Sequence, residues 1–219
     1  MNVFVSGTAR GIGRAIAELF LKNGAHVVGF DILPASVEHE NYTHLIADVS
    51  QSTLPNVPVP ANIVVSNAGV QNSGRDIDVN LKGAIRFVER YAFQPQIESA
   101  LLIASASAHS GAEFPEYSAS KGGLISYMKN AAMRLAKFGA TCNSISPGGV
   151  TTDLNRPVME NESLWQKIMD VTPLKRWASP EDIAEWVWFL TVINKNCTGQ
   201  DILIDNGEKD LNGVFVWPG

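Results

Sequence analysis

The chain has 219 residues with 45% hydrophobic and 18% charged side chains, which suffices for the core of a single α/β catalytic domain. Its formal net charge of −5 excludes the basic footprint of nucleic-acid binding; we also find no bilayer-spanning apolar run and no cleavable signal, and expect a cytoplasmic protein. Two cysteines, Cys142 and Cys197, indicate neither a disulfide framework nor a metal site.

The N-terminal segment carries the pattern of a phosphate-binding turn. A buried strand is predicted at 2–6 and runs directly into the glycine-rich stretch 7–13, which opens a helix from about Ile12 to Lys22. Free backbone N–H groups and the helix dipole converge on an anion at such a turn, and glycines let a pyrophosphate approach the backbone. Glycine clusters also form ordinary loops, but the order strand, turn, helix favours a dinucleotide site.

The second predicted strand, 25–30, ends at Asp31, eighteen residues after Gly13. A carboxylate at this position accepts hydrogen bonds from the adenosine ribose and repels a 2′-phosphate, so the sequence predicts NAD over NADP. Arg10 argues in the other direction, because a cation in the glycine turn attracts that phosphate. We expect the carboxylate to dominate, since it meets the ribose edge directly.

Five further strands are predicted near 43–47, 62–66, 100–104, 140–145 and 201–204, mostly separated by helical stretches. Such alternation predicts a parallel sheet wound on both faces. Prolines at 55, 58 and 60 are hostile to a helix interior, so we expect the helix between strands three and four to be lost or shortened. The segment 70–79 leaves little lead-in to the helix that carries Asn80. We therefore expect Asn80 close to the first turn of that helix.

Tyr117 and Lys121 lie four residues apart on a predicted helix that runs to about Lys137. This spacing puts both side chains on one helical face. An ammonium beside a phenol favours the phenolate, which gives an acid/base group for carbonyl and alcohol chemistry. Taken alone, the pair is also typical of the surface of any amphipathic helix.

Several motifs occur together and in order along the chain. They are Gly-x-x-x-Gly-x-Gly at 7–13, Asp48-Val49, Asn67-Ala68-Gly69, Asn80, Ser105, Tyr117-x-x-x-Lys121 and Pro147-Gly148. On these residues the chain resembles the classical short-chain dehydrogenase/reductase family over nearly its whole length. The resemblance implies a Rossmann-type, doubly wound parallel sheet of seven strands in a single domain, 1–219.

The resemblance also implies catalytic roles. Tyr117 would donate or accept the proton at the substrate oxygen, and Lys121 would acidify it and hold the nicotinamide ribose. Ser105, at the end of the fifth strand, would hydrogen-bond the substrate oxygen. Ser107 is a nearby rival, because this loop is about one residue shorter than the family pattern. Asn80 matches the family asparagine that anchors a proton-relaying water, although a polar residue satisfied by backbone groups is the alternative.

A cofactor-binding set follows from the same resemblance. Asp48 and Val49 would contact the adenine edge, and the Val150 backbone and Thr152 hydroxyl would contact the nicotinamide amide. The full set is Gly7, Arg10, Gly11, Ile12, Gly13, Asp31, Asp48, Val49, Asn67, Ala68, Gly69, Tyr117, Lys121, Pro147, Gly148, Val150 and Thr152. No metal is expected.

The substrate is a small alcohol or carbonyl compound whose identity the sequence leaves open. Residues 152–177 occupy the place of the family's mobile lid, in which Trp165 and Met169 line a pocket or simply fill the core. His109, Glu113 and Phe114 are candidates for touching substrate. The segments 104–109 and 142–148 look like those of dihydrodiol and dihydroxybenzoate-type dehydrogenases, and similar strings also occur in sugar, steroid and ketoacyl reductases.

Three hypotheses remain open at this stage. The leading one is an NAD-dependent dehydrogenase or carbonyl reductase in which Tyr117 is the acid/base. The second is a catalytically silent dinucleotide sensor or scaffold, and the third is an epimerase or dehydratase on the same fold. The apolar tail, 207–219, is expected to dock on a neighbouring subunit, because the resemblance implies a homotetramer or homodimer.

Overall fold

A computed structural model describes residues 1–112 and 114–211. Glu113 and most of the predicted tail, 212–219, lie outside the described residues. The sheet has seven strands in the order β3-β2-β1-β4-β5-β6-β7, and each neighbouring pair is parallel. The predicted doubly wound parallel sheet is therefore confirmed.

The strand boundaries lie within two residues of the predicted ones. They are β1 Asn2–Ser6, β2 His26–Asp31, β3 Tyr42–Ile46, β4 Ile63–Ser66, β5 Ser99–Ile103, β6 Thr141–Pro147 and β7 Asp201–Ile204. Buried strands of a parallel sheet are nearly continuous apolar runs, and such runs are the sequence pattern that predicts these strands.

Helices connect the strands and cover the sheet. They are α1 Gly11–Lys22, α2 Ala84–Tyr91, α3 Ser107–Ser110, α4 Pro115–Leu135, α5 Arg156–Met159, α6 Glu162–Val171 and α7 Pro180–Trp188. A π-helical segment, Ile77–Gly83, leads into α2, and another, Phe189–Ile193, extends α7. Short 3₁₀ turns occupy Ala136–Phe138 and Asp153–Asn155. No helix among the described residues has the length and apolarity needed to cross a membrane.

Alternate residues of β1 point into two separate cores. Val3 and Val5 pack with Phe20 of α1 and Val187 of α7. Phe4 faces the other side of the sheet, in a cluster that also contains side chains of α2 and α4. This period of two fixes the register of the central strands.

The crossover from β3 to β4 has no helix between residues 47 and 62, as the prolines predict. Leu54 covers part of the sheet there, but Ile46 is 63% exposed. An open groove of about 610 Å³ follows this face. The hydroxyl of Tyr91 donates to the Pro55 carbonyl at 2.7 Å and holds the extended segment against α2.

The strand order reverses at β1, which pairs with β2 on one side and β4 on the other. Ligands of open α/β sheets bind beyond the carboxyl ends of the strands at such a reversal. Predicted site residues lie at or after the carboxyl ends of all the strands from β1 to β6, and the parallel topology brings these strand ends to one edge of the sheet.

Candidate active site

The glycine turn after β1 forms a concave backbone cradle, which would be filled if side chains replaced its glycines. Gly7 has a φ of 76°, in the region that favours glycine. A Cβ at Gly13 would lie 2.0 Å from the Gly7 carbonyl oxygen, so only glycine fits there. The Asn67 amide donates to the carbonyls of Ser6 and Gly7 at 3.0 and 3.2 Å and ties the end of β4 to the turn. The turn therefore fits a pyrophosphate at the N-terminus of α1.

Asp31 is the last residue of β2 and reaches the glycine turn. Its carboxylate accepts hydrogen bonds from the backbone N–H groups of Ala9 at 2.9 Å and Leu33 at 3.0 Å. This geometry holds a negative charge beside the dinucleotide cradle, where the sequence predicts the adenosine ribose. Arg10 is exposed at the N-cap of α1 and makes no side-chain capping bond.

A hydrogen-bonded network behind this turn was not predicted from the sequence. The Tyr42 hydroxyl donates to Thr8 Oγ1 at 2.9 Å and lies 2.9 Å from His44 Nδ1. His44 Nε2 lies 2.9 Å from the Leu33 carbonyl. Tyr42 can approach because β2 has Gly29 opposite, where a Cβ would be 2.2 Å from the phenol oxygen. The only sequence signal is the alternation that puts Tyr42 and His44 on one face of β3.

Asp48, predicted at the adenine edge, is hydrogen-bonded to Ser50 and Arg75. Its carboxylate accepts from the Ser50 N–H at 2.8 Å, the Ser50 hydroxyl at 2.7 Å and Arg75 at 3.2 Å. Burial favours the neutral acid, but these hydrogen bonds and the charge of Arg75 outweigh it and hold the pKa of Asp48 below its ordinary value. Val49 packs closely against Gly83, where a Cβ would be 2.8 Å from Val49 Cγ2.

Tyr117 and Lys121 lie in the first two turns of α4, which begins at Pro115. The Lys121 ammonium is 5.8 Å from the centroid of the Tyr117 ring and donates to the Ile103 carbonyl at 2.9 Å. Lys121 is only 5% exposed. Burial lowers the pKa of Lys121 to about 8, while the negative charge of Asp76 acts in the opposite direction.

Ser105 follows β5, and the backbone continues to pair with β6 on both sides of it, through the N–H groups of Ala104 and Ala106. Its hydroxyl lies 3.3 Å from the Ser107 hydroxyl and accepts from the Ser107 N–H at 3.2 Å. Both serines are buried. Because α3, which starts at Ser107, packs against α4, the serine turn lies beside the helix of Tyr117.

Asn80 lies in the π-helical segment Ile77–Gly83, close to its start as the short lead-in predicts. Its amide forms two hydrogen bonds of 2.8 Å with the N–H and carbonyl of Val70, and a third of 3.2 Å with the Ser120 hydroxyl. The side chain thus braces the loop after β4 against α4. This is the backbone-satisfied arrangement left open by the sequence, and the water-anchoring role stays a prediction. Local π-helical turns are frequent at functional sites.

The segment after β6 crosses from Pro147, the last residue of that strand, to the glycine turn. A Cβ at Gly149 would be 1.9 Å from the Trp177 ring, so the indole lies directly on this glycine. Thr152 Cγ2 would contact a Cβ at Gly11 at 3.4 Å. The predicted nicotinamide segment and the predicted pyrophosphate turn are therefore adjacent. Gly148 is equally crowded, since its Cβ would lie 2.7 Å from Asp205.

The residues that the sequence suggests as substrate contacts differ in their exposure and in their contacts. His109 Nε2 lies 2.7 Å from Asp201 Oδ2, at the start of β7, and the side chain is 37% exposed, so its contact with substrate stays a prediction. Trp165 makes an edge contact with Trp177 at 5.0 Å. Met169 is buried, and Phe114 is 37% exposed immediately before α4. Within the described part of the chain, no cluster of three or more His, Cys, Asp or Glu side chains is arranged for a metal ion.

Comparison with known proteins agrees with this geometry. The family model described as Enoyl-(Acyl carrier protein) reductase matches residues 60–209. The chain is 30% identical to an L-rhamnose-1-dehydrogenase of Scheffersomyces stipitis, with 94% of each chain covered. It is 29% identical to a 2,3-dihydro-2,3-dihydroxybenzoate dehydrogenase of Escherichia coli, with 94% of this chain and 96% of the relative covered.

Solved structures of other proteins share this fold. A short chain dehydrogenase family protein from Francisella tularensis superposes with a TM-score of 0.84 at 26% identity. That alignment covers 96% of this chain and 99% of the other. The similarity therefore extends over the sheet, both helical layers and the segments that carry the candidate site.

Proposed function

The chain belongs to the classical short-chain dehydrogenase/reductase family, and we propose that it interconverts a secondary alcohol and a carbonyl compound with Tyr117 as the acid/base. The family assigns it as an oxidoreductase that acts on CH–OH groups of small molecules with NAD or NADP. The observation that carries the proposal is the position of the Lys121 ammonium, 5.8 Å from the Tyr117 ring centroid.

Each catalytic side chain has one task in this proposal. A bound nicotinamide supplies the hydride for reduction and accepts it in oxidation. Tyr117 gives its phenolic proton to the substrate oxygen in reduction and takes it back in oxidation. Lys121 stabilises the phenolate that this transfer leaves, and the Ser105 hydroxyl donates a hydrogen bond to the oxygen on which charge develops.

We further propose a preference for NAD over NADP. Asp31 supports it, because its carboxylate is fixed beside the glycine turn by the Ala9 and Leu33 N–H groups. A 2′-phosphate brought to this edge would meet a like charge at close range. Arg10 is exposed and free of a capping bond, so it is the cation that opposes this preference.

A sensor or scaffold without chemistry is the second candidate from the sequence. The intact set Ser105, Tyr117 and Lys121 supports the enzyme instead: a protein that only binds the dinucleotide could use Lys121 to hold the ribose, but it would need neither the Tyr117 phenol nor the Ser105 hydroxyl at a substrate oxygen. Burying a charge is costly unless it is paired and hydrogen-bonded, and Lys121 is only 5% exposed, with one hydrogen bond to the Ile103 carbonyl.

Assembly into a homotetramer or homodimer, in the cytoplasm, is part of the same proposal. The support is apolar surface on α7 and its π-helical extension, where Trp186, Phe189 and Ile193 are 41%, 45% and 59% exposed. Contiguous apolar surface of this kind marks protein contacts. Light scattering of the purified protein tests it, and a monomer would refute it.

The activity itself is tested by adding NAD or NADP and a panel of secondary alcohols, aldoses and cyclic diols to the purified protein. Formation of reduced nicotinamide is followed by its absorbance. Turnover with a member of the panel supports the dehydrogenase, whereas cofactor binding without turnover across the panel would favour the sensor.

A further inference from the structure

The shortened loop after β4, residues 67–76, covers one side of the pocket that holds the Lys121 ammonium. Gly69 is part of this cover, because a Cβ there would lie 3.5 Å from Lys121 Nζ and 3.1 Å from Asn80 Oδ1. Below, Nζ donates to the Ile103 carbonyl at 2.9 Å. The ammonium is therefore enclosed by backbone and amide groups, where solvent screening is weak.

The same loop is fastened by a buried carboxylate that the sequence did not single out. Asp76 is 1% exposed and accepts from the N–H groups of Asn72 at 2.9 Å and Ser73 at 2.8 Å. The Ser73 hydroxyl donates a third hydrogen bond at 3.1 Å. All three donors are neutral, so Asp76 is held in place without a salt bridge that would cancel its charge locally.

Asp76 and Asn80 are one helical turn apart, and each side chain accepts hydrogen bonds from backbone N–H groups of the loop. Asn80 holds Val70 and reaches Ser120, the neighbour of Lys121. Asp76 holds residues 72 and 73. The loop, the π-helical segment and the start of α4 thus form one cluster around the ammonium, and this cluster contains both a buried carboxylate and a buried ammonium.

The other ionisable groups around this cluster do not take over that role. Tyr117 faces Lys121 from the same helix, and β5 offers only the Ile103 carbonyl. Arg75, next to Asp76 in sequence, points to Asp48 on the exposed flank. Asp78 is paired with Lys82 at the surface. The negative charge of Asp76 raises the pKa of Lys121, against the larger and opposite effect of burial.

We propose that Asp76 is a further positioning residue of this active site, which keeps the Lys121 ammonium charged and the shortened loop closed over it. The inference rests on the proposed function, because a charged Lys121 matters only if Tyr117 needs its help. Burial alone pushes the ammonium to release its proton, and a neutral amine no longer favours the phenolate. The carboxylate opposes this and keeps the lysine in its active form at neutral pH.

The decisive experiment follows the protonation of Lys121 directly. Lysine labelled with ¹³C at Cε is titrated by NMR in the full-length protein, with Lys121→Arg to assign the signal. We expect Asp76→Asn to move the midpoint of Lys121 to lower pH by about 1. Asp76→Ser serves as a second neutral variant, so the test survives if one of the two does not fold.

Two controls separate charge from structure. Asp78→Asn removes the same charge two residues along the same helix, but at an exposed position paired with Lys82, and should leave the Lys121 midpoint unchanged. Ser73→Ala removes the 3.1 Å hydrogen bond to Asp76 without changing any charge. It should loosen the loop and lower the melting temperature while the midpoint stays in place.

An unchanged midpoint in the folded Asp76 variants would overturn the inference, as would equal shifts in Asp76→Asn and Ser73→Ala. This readout requires no turnover, so failure of the proposed dehydrogenase activity and failure of the role of Asp76 are distinguishable. In active protein, the alkaline fall of kcat should begin at lower pH in Asp76→Asn than in Asp78→Asn.

Discussion

The ammonium of Lys121 lies 5.8 Å from the centroid of the Tyr117 ring, one helical turn along α4. Nearly all of this lysine is buried, and its hydrogen bond to the Ile103 carbonyl fixes it against the end of β5. A cation fixed at this distance stabilises a developing phenolate more than a mobile surface lysine does, because the ammonium is buried and held in one position. This pairing underlies each prediction about catalysis below.

Replacing Ser105 by alanine should lower kcat by about 100-fold, because the substrate oxygen loses a hydrogen-bond donor as charge develops on it. Ser107→Ala is the matched comparison, since the two buried hydroxyls lie 3.3 Å apart. It should have a smaller effect, through the orientation of Ser105. Steady-state kinetics of both variants check this. A larger loss of kcat in Ser107→Ala would show that Ser107, and not Ser105, donates to the substrate oxygen.

Asp31→Ala should relax the preference for NAD by improving the use of NADP. The physical reason is the loss of a charge that repels a 2′-phosphate beside the glycine turn. The measurement is kcat/KM for both cofactors in wild type and variant, with Glu38→Ala as a control that removes an exposed charge nearby. An unchanged ratio in Asp31→Ala would show that this carboxylate does not face the ribose.

Gly13→Ala should abolish dinucleotide binding and destabilise the fold by roughly 1–3 kcal/mol, because the new methyl group overlaps the Gly7 carbonyl oxygen. Gly122→Ala is the control. No atom lies within 4 Å of its added Cβ, and alanine is favoured in a helix interior by about 1 kcal/mol. Denaturant unfolding and fluorescence titration with NADH measure both effects. Equal behaviour of the two variants would contradict the cradle.

The pKa of Lys121 makes the stability of the protein depend on alkaline pH. The folded-state pKa is about 8, below the ordinary value of 10.5, so between these values the unfolded chain binds more protons. Stability contributed by this residue therefore rises with pH across that window and is lowest below pH 8. Lys121→Met removes this dependence.

Unfolding of wild type and Lys121→Met should thus be compared at pH 7 and 10.5. The stability of the variant relative to wild type should fall by about 3 kcal/mol between these pH values. Burial raises the pKa of Cys142 to about 12, but its alkaline effect is common to both proteins and cancels. A constant difference across the window would show that Lys121 titrates normally.

The sequence was sufficient for the sheet and the glycine turn, for a physical reason. Strands such as β1 and β4 are buried apolar runs bounded by polar or glycine residues, and this pattern depends only on local sequence. Gly13 could be singled out because a strand, a turn and a helix follow one another between residues 2 and 22. The proline-rich crossover likewise carries its own signal.

Other parts of the site arise from contacts between distant segments. Asp76 looks like an ordinary loop carboxylate, and nothing in its neighbours predicts that it is buried near Lys121 on another helix. The contact of His109 with Asp201 joins residues 92 positions apart. The π-helical turn at Asn80 depends on a loop that closes on Val70 and on packing against Ser120. Such tertiary interactions override local propensity.

The most direct test of the central claim is Tyr117→Phe, compared with Tyr127→Phe. Both remove one hydroxyl from α4, but that of Tyr127 hydrogen-bonds Glu89 away from the site. Turnover of a secondary alcohol and binding of NADH are measured for each. The account predicts that Tyr117→Phe loses at least about 100-fold in kcat with NADH binding retained, while Tyr127→Phe keeps its turnover. Wild-type kcat in Tyr117→Phe would contradict the assignment of Tyr117 as the acid/base.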